Sequence, residues 1–296
     1  MKFITFVHKG KEQIGVLSLD ESKVLKISKI LGHERYEDMN QFIEEATELD
    51  LDIIAQVRIN EKDLGTPVEE IRYLAPIVKP KHDIICVGVN YESHLKESTL
   101  ALQADLSSQK SPVYFSKRTT RILGHEEAVK GFFEIDEELD YEVEVAVIIG
   151  KRGINIPKDQ VEDYIFGYSI FNDVSSRTLQ KGHLQWYKGK SLDTHSVLGP
   201  VILHRSALPL PLKLKVESRV NGEVRQSSST ELFLHDIATI VSDFSRGITL
   251  EPGDIIATGT PSGVGMGFDP PRFMKKGDVV ECEVEKIGIL KSSIVE

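Results

Sequence analysis

Beyond its first quarter the chain alternates apolar with polar positions or gathers apolar residues in short blocks, and helical spacing is scarce. Strands are predicted at residues 3–7, 13–19, 84–89, 141–149, 167–172, 201–203, 212–220, 254–258 and 279–284. Asn221-Gly222 between alternating residues signals a tight hairpin, and Pro252-Gly253-Asp254 and Lys276-Gly277-Asp278 open strands with turn residues. Helices are predicted at 39–51, from about residue 90, and at 234–246, where Ile237, Ile240, Val241 and Phe244 share one face. The polar, Ser/Gln-rich stretch 99–111 reads as a mobile segment. Two prolines bracket an extended piece in Leu74-Ala75-Pro76-Ile77-Val78-Lys79-Pro80, which predicts a boundary. The expected organisation is a small α+β accessory domain, 1–76, and a larger β-rich α+β domain, 77–296.

Composition narrows the function. With 296 residues, 40% hydrophobic and 28% charged, the chain has room for a sizeable core, and disorder and collagen-like repeats are excluded. A net charge of -10 without a segregated basic patch argues against nucleic acid and anionic membrane as partners. The first 76 residues carry 10 basic and 15 acidic side chains, half of that deficit. Only Cys86 and Cys282 occur, without metal-ligand spacing, and no apolar run approaches a membrane span. A soluble protein in the reducing cytoplasm is expected.

Candidate chemistry begins at Asp140-Tyr141-Glu142-Val143-Glu144, where strand alternation sets Glu142 and Glu144 on the same face as Ala146 and Ile148. Two carboxylates entering a face that turns apolar can converge on a hard divalent cation, or can mark an ordinary exposed strand end. A second apolar run ends at Asp173, either another ligand or a helix cap. Arg177 and Gln180 follow, three apart, and a guanidinium suits a substrate carboxylate as well as it suits solvent. Lys190 sits among small residues, close to a ligand or simply solvated. His94 and Glu97 fit one helical turn, as a general-base pair or as a surface pair. The glycine-rich run 258–267 offers backbone amides and the Thr260 hydroxyl to a small anion, but has neither a phosphate-loop nor a dinucleotide signature. Serine-hydrolase and zincin motifs are absent.

In order, Val87-Gly88-Val89-Asn90-Tyr91-x-x-His94-x-x-Glu97, Leu139-Asp140-Tyr141-Glu142-Val143-Glu144, Asn172-Asp173-Val174-Ser175-x-Arg177-x-x-Gln180, Gly189-Lys190-Ser191-x-Asp193-Thr194 and Thr258-Gly259-Thr260-Pro261-x-Gly263-Val264-Gly265 resemble the fumarylacetoacetate hydrolase family over nearly all of 84–296. The resemblance implies a mixed β-roll with a partly opened barrel, assembled as a homodimer. It implies Glu142, Glu144 and Asp173 as ligands of Mg²⁺ or Mn²⁺, and Arg177, Gln180, Lys190 and Thr260 around the substrate, with Lys190 also catalytic. His94 and Glu97 become a general-base dyad on a lid that orders with substrate. The implied substrate is a small 2-oxo (1,3-dicarbonyl) acid processed through a metal-held enolate. Hydrolysis of a carbon–carbon bond or decarboxylation of oxaloacetate is the leading expectation. Oxaloacetate tautomerisation, or isomerisation or hydration of longer unsaturated 2-oxo acids, is the alternative, and a metal-binding scaffold that works through a partner is an alternative of another class. The chain departs from the family pattern at His195-Ser196-Val197, where Phe-Cys-Pro is frequent.

Overall fold

The computed structural model describes residues 1–60, 64–102 and 111–296. The stretch expected to be mobile lies largely outside them. Among the described residues the fold is a sheet-rich α+β arrangement of an 11-stranded, a five-stranded and a two-stranded sheet, with no closed barrel.

The large sheet owes its centre to two strands that are buried along their whole length, Val143–Ile149 and Ile165–Asp173. Their β-branched and aromatic residues suit a pleated surface covered on both sides. Ile255–Ala257 pairs antiparallel with Val143–Ile149 and parallel with Ile84–Gly88, which in turn pairs antiparallel with Val113–Lys117. This order brings the start of one strand and the ends of three others to a single edge, from which the chain continues into 89–97, 174–190 and 258–267. Alternation then divides the core. Val143, Val145, Val147 and Ile149 pack with Val216, Val280, Val284 and Leu290 of the five-stranded sheet. Ala146 and Ile148 face the opposite side, toward Phe3, Phe42 and Phe166.

The first 76 residues extend the large sheet. Lys2–His8 pairs antiparallel with Ser196–His204, with Lys2 opposite Leu203. Phe42 lies 5.2 Å from Phe3 and 6.2 Å from Phe166, ring centre to ring centre, so an N-terminal helix packs directly on a central strand. The segment expected to mark a boundary is itself buried from Leu74 through Ile77, and Thr5 Oγ1 donates to the Pro76 carbonyl at 2.7 Å.

Local signals explain the remaining element ends. Asn221 and Gly222 both have positive φ, 52° and 80°, as the hairpin between Lys215–Val220 and Glu223–Ser229 requires. The helix expected at 39–51 is two helices, Met39–Glu45 and Glu48–Asn60. A reciprocal cap restarts the chain between them: Asp50 accepts from the Thr47 amide at 2.9 Å, and the Asp50 amide donates to Thr47 Oγ1 at 3.2 Å. The helix expected at 234–246 is shorter, Ile237–Phe244, capped by Asp236. Asn90 holds the two residues before that cap, accepting the Leu234 amide on its backbone carbonyl and the His235 amide on Oδ1. No helix among the described residues is long and apolar enough to cross a membrane.

Because Phe42 joins the N-terminal helices to the central sheet, Phe42→Ala should cost about 3–5 kcal/mol. In urea it should move a single unfolding transition; a separate early transition would show that residues 1–76 unfold on their own.

Candidate active site and metal centre

Glu142, Glu144 and Asp173 stand at the common edge, on the sheet face that carries Ala146, Ile148 and Phe171. All three are buried, and each offers an oxygen within 4.8 Å of the other two. Cationic side chains surround them. Lys190 Nζ bridges Glu142 Oε2 at 2.7 Å and Asp173 Oδ2 at 2.8 Å, and Arg177 Nη1 meets Glu142 Oε1 at 2.7 Å. Lys117 Nζ donates to Asp173 Oδ1 at 2.5 Å and to the Val174 carbonyl at 2.8 Å. Arg177 is aimed by two further contacts, Nε to Asp140 Oδ2 at 2.9 Å and Nη1 to Gln180 Oε1 at 2.8 Å. Its buried Nη2 has no partner among the described residues.

On the opposite side stands the helix Glu92–Leu102. His94 is buried, and its Nδ1 lies 2.9 Å from Glu97 Oε2. A carboxylate there accepts a hydrogen bond from Nδ1, which selects that tautomer and leaves Nε2 as the ring atom open to a proton. Glu97 is held in turn by the Gly263 amide at 3.0 Å. Gly267 approaches it so closely that a Cβ at that position would strike the Glu97 carboxylate.

The glycine-rich run 258–267 thus differs from its expected role. Its amides go to the protein's own carboxylates. Gly259 donates to Glu144 at 2.8 Å, Gly263 to Glu97, and Gly265 and Met266 to Asp140 at 2.6 and 3.0 Å. Thr260 Oγ1 donates to the Val143 carbonyl at 2.9 Å and accepts from Gln226 at 2.7 Å. Four of its amides are thereby committed to carboxylates already in the site. It is a buttress for three carboxyl-bearing residues, Glu144, Glu97 and Asp140.

His94, Glu142, Glu144, Arg177, Gln180, Lys190 and Thr260 line one cavity, so the structure brings together every expected site residue except Glu97 and Asp173, which act from just behind its wall. His195 and Ser196, where the chain departs from the family pattern, are buried, and neither they nor Val197 lines the cavity. His195 Nε2 pairs with the Lys130 carbonyl at 3.0 Å. The sequence reading missed Lys117, Asp140 as the anchor of Arg177, Gln226 as the partner of Thr260, and Trp186 in the cavity wall. Asp140 lay within a recognised motif and alternation sets Lys117 on the face of Phe115, but neither signal names a partner.

The electrostatics separate the two glutamates. Burial pushes the Glu142 carboxyl up, but Lys190 and Arg177 outweigh it and hold it at about 2. Glu144 has no such ion pair, and burial followed by the charges of Asp173 and Glu142 pushes its carboxyl well above the ordinary range. Three hard oxygens in a buried cluster, one of them destabilised by its like-charged neighbours, fit a divalent cation that takes oxygen ligands at about 2.0–2.6 Å.

The relatives agree with this geometry. Residues 83–295 match the fumarylacetoacetate (FAA) hydrolase C-terminal family. The chain belongs to the fumarylacetoacetate hydrolase family. It is 46% identical to oxaloacetate tautomerase YisK of Bacillus subtilis over 227 residues, 77% of this chain and 74% of that one. To the mitochondrial oxaloacetate tautomerase Fahd2a of Rattus norvegicus it is 39% identical over 230 residues, 77% of this chain and 71% of the other. Among solved structures, a fumarylacetoacetate hydrolase from psychrophilic Exiguobacterium antarcticum superposes with a TM-score of 0.84 at 37% identity, covering 100% of this chain and 99% of that one. Two of these relatives are named for their action on oxaloacetate, a small oxo acid.

Cation binding requires Glu144 to lose its proton, so affinity should rise with pH until the metal-free carboxyl is itself ionised, and then level off. Calorimetric titration of Mn²⁺ in two buffers of different ionisation enthalpy should read proton release that shrinks as pH rises. Identical heats in both buffers would mean that Glu144 is already charged.

Proposed function

We propose that the chain is a Mg²⁺- or Mn²⁺-dependent enzyme that interconverts the keto and enol forms of oxaloacetate, with residues 77–296 carrying the chemistry and 1–76 accessory to it. The observation that carries this reading is the meeting, in one cavity, of an unpartnered Arg177 Nη2, a buried acidic triad and a histidine oriented by a carboxylate.

Each residue has a part. Arg177 Nη2 donates to the substrate carboxylate, while Asp140 and Gln180 keep the guanidinium in plane. His94 Nε2 takes a proton from C3, the electron pair becomes the C2–C3 double bond, and the C2 oxygen gains the negative charge. Lys190, whose ammonium is kept protonated by Asp173 and Glu142 against the effect of burial, donates toward that oxygen. Return of a proton to the oxygen completes the enol, and the reverse sequence restores the ketone. A divalent cation held by Glu142, Glu144 and Asp173 supplies Lewis-acid stabilisation of charge developing on a keto oxygen.

Loss of CO₂ from oxaloacetate instead leaves the enolate of pyruvate, and attack of a His94-activated water on the acyl carbonyl of an acylpyruvate releases that pyruvate enolate and a carboxylic acid by carbon–carbon cleavage. The His94–Glu97 pair favours these as secondary activities. Homodimeric assembly and a cytoplasmic setting belong to the same reading, the second supported by two buried free thiols, Cys86 and Cys282.

Oxaloacetate followed in parallel by enol absorbance and by pyruvate release tests the proposal. Faster keto–enol equilibration without pyruvate supports the tautomerase, and pyruvate release at the same rate replaces it with the decarboxylase. His94→Ala should lower kcat by roughly 10²–10⁴-fold, and Glu97→Gln by about 10–100-fold. A chelator should reduce the rate to background, with recovery on adding Mg²⁺ or Mn²⁺. Equal rates with and without chelator would remove the cation from the reaction.

A further inference from the structure

We propose that Trp186 is the wall that sets the chain length of 2-oxo acid the site accepts, an inference that rests on the oxo-acid function proposed above. The cavity has two unlike sides. One is the charged cluster, and the other is formed by Val87, Phe115, Trp186 and Met266. A 2-oxo acid that sets its carboxylate and keto oxygen against the charged side directs C3 and everything beyond it at the apolar side. The space between the two sides is about 20 Å³, little more than one water requires, whereas small-molecule sites usually run to roughly 300 Å³ or more. Substrate length is therefore decided by what the apolar side allows.

Trp186 is fixed from three directions. Its ring rests on Gly88, where a Cβ would lie 2.6 Å from Cζ3, and it meets Phe115 nearly edge-on, with centroids 5.3 Å apart. Its carbonyl accepts the Lys190 amide at 3.1 Å, so indole and ammonium lie one helical turn apart on one face. Gly189, between them, is pressed on the helix Arg177–Gly182: a Cβ there would come within 2.5 Å of the Gln180 nitrogen and 2.7 Å of the Ser176 carbonyl. That turn cannot slide, so the indole stands at a set distance from Lys190. Across residues 181–188 every other side chain is exposed.

The other apolar residues are tied to the charged cluster. The Lys190 ammonium lies over the Phe115 ring at 5.2 Å, and the Met266 amide holds Asp140. Trp186 is joined to Lys190 through the backbone alone, so truncating the indole removes the wall and leaves the side-chain contacts of the cluster in place.

The test uses full-length, Mn²⁺-loaded wild type, Trp186→Ala, Trp186→Phe, Gly88→Ala and the double variant Gly88→Ala/Trp186→Ala. Calorimetry gives the affinity of each for pyruvate and 2-oxooctanoate, unbranched 2-oxo acids that differ only in length. Trp186→Ala should raise the affinity for 2-oxooctanoate relative to pyruvate by at least ~10-fold, with Trp186→Phe between it and wild type. Gly88→Ala should change the ratio in the wild-type background, where its methyl strikes the indole, and leave it within about twofold in the Trp186→Ala background. A ratio unmoved in both Trp186 variants, or a Gly88→Ala effect of equal size in both backgrounds, overturns the proposal. Trp186 is the chain's single tryptophan, so wild-type emission should shift on saturation with pyruvate, and unchanged emission also overturns it. Oxaloacetate turnover by wild type is scored separately. A shifted ratio without turnover defeats the oxo-acid activity and leaves the wall standing, and turnover with an unshifted ratio does the reverse.

Discussion

The fold must keep Glu142, Glu144 and Asp173 together in a buried place, with ligand oxygens no more than 4.8 Å apart. Like charges at that range in a poorly solvated site repel strongly. Much of the surrounding architecture answers that repulsion. Lys190 bridges two of the carboxylates, Lys117 and Arg177 take the remaining oxygens of Asp173 and Glu142, and the Gly259 amide serves Glu144. Asp140 and Lys117 cancel each other in the charge count. With a divalent cation bound and Glu144 ionised, the cluster carries one net positive charge before His94 and Glu97 are included. An acidic chain thereby acquires a site that attracts an anionic acid.

The glycine-rich loop is the second layer of that solution. Donating to Glu144, Glu97 and Asp140, it fixes a proposed metal ligand, the orienter of His94 and the anchor of Arg177 from one short stretch of backbone. Amides are suited to this because they donate without adding a cation that would compete with metal or substrate. The glycines allow the backbone to come close: Gly259 and Gly263 adopt positive φ, and Gly267 leaves no room for a Cβ beside Glu97.

What could be read from the sequence follows from how local each cause is. Glu142 and Glu144 were legible because two charges on a strand face that turns apolar conflict with a solvated edge, and Asp173 because it ends a second buried run. Asn221-Gly222 announced a turn through its own conformational preference. Lys117 was not legible as a partner of Asp173: beside Arg118 at a strand end it reads as a solvated cation until the fold removes all of its exposure. Asp140 stood within a recognised motif, but its role depends on amides some 125 residues later. The amides of 258–267 were recognised as anion donors, whereas the anions they serve come from distant segments. The proline-bracketed stretch near Pro76 pointed to a break in the chain, and only tertiary pairing reveals that it is packed inside.

The pairing of Lys2–His8 with Ser196–His204 bears on the order in which this protein is made. Lys2–His8 finds Lys11–Leu17 within a few residues and Arg72–Tyr73, beside Phe6 and Val7, soon after, but the partner of Lys2 and Phe3 is synthesised nearly two hundred residues later. Until then the Lys2–Phe3 end of that edge stays unpaired, while Val143–Ile149 and Ile165–Asp173 meet across a short connection. The central pair of strands that carries Glu144 and Asp173 is thus a product of local assembly, and joining Lys2–His8 to the large sheet is a long-range closure of the slow kind. During synthesis, an incomplete chain presents an unfilled strand edge beside apolar Phe3 and Ile4, which makes the nascent protein most dependent on chaperones before residue 204 has emerged.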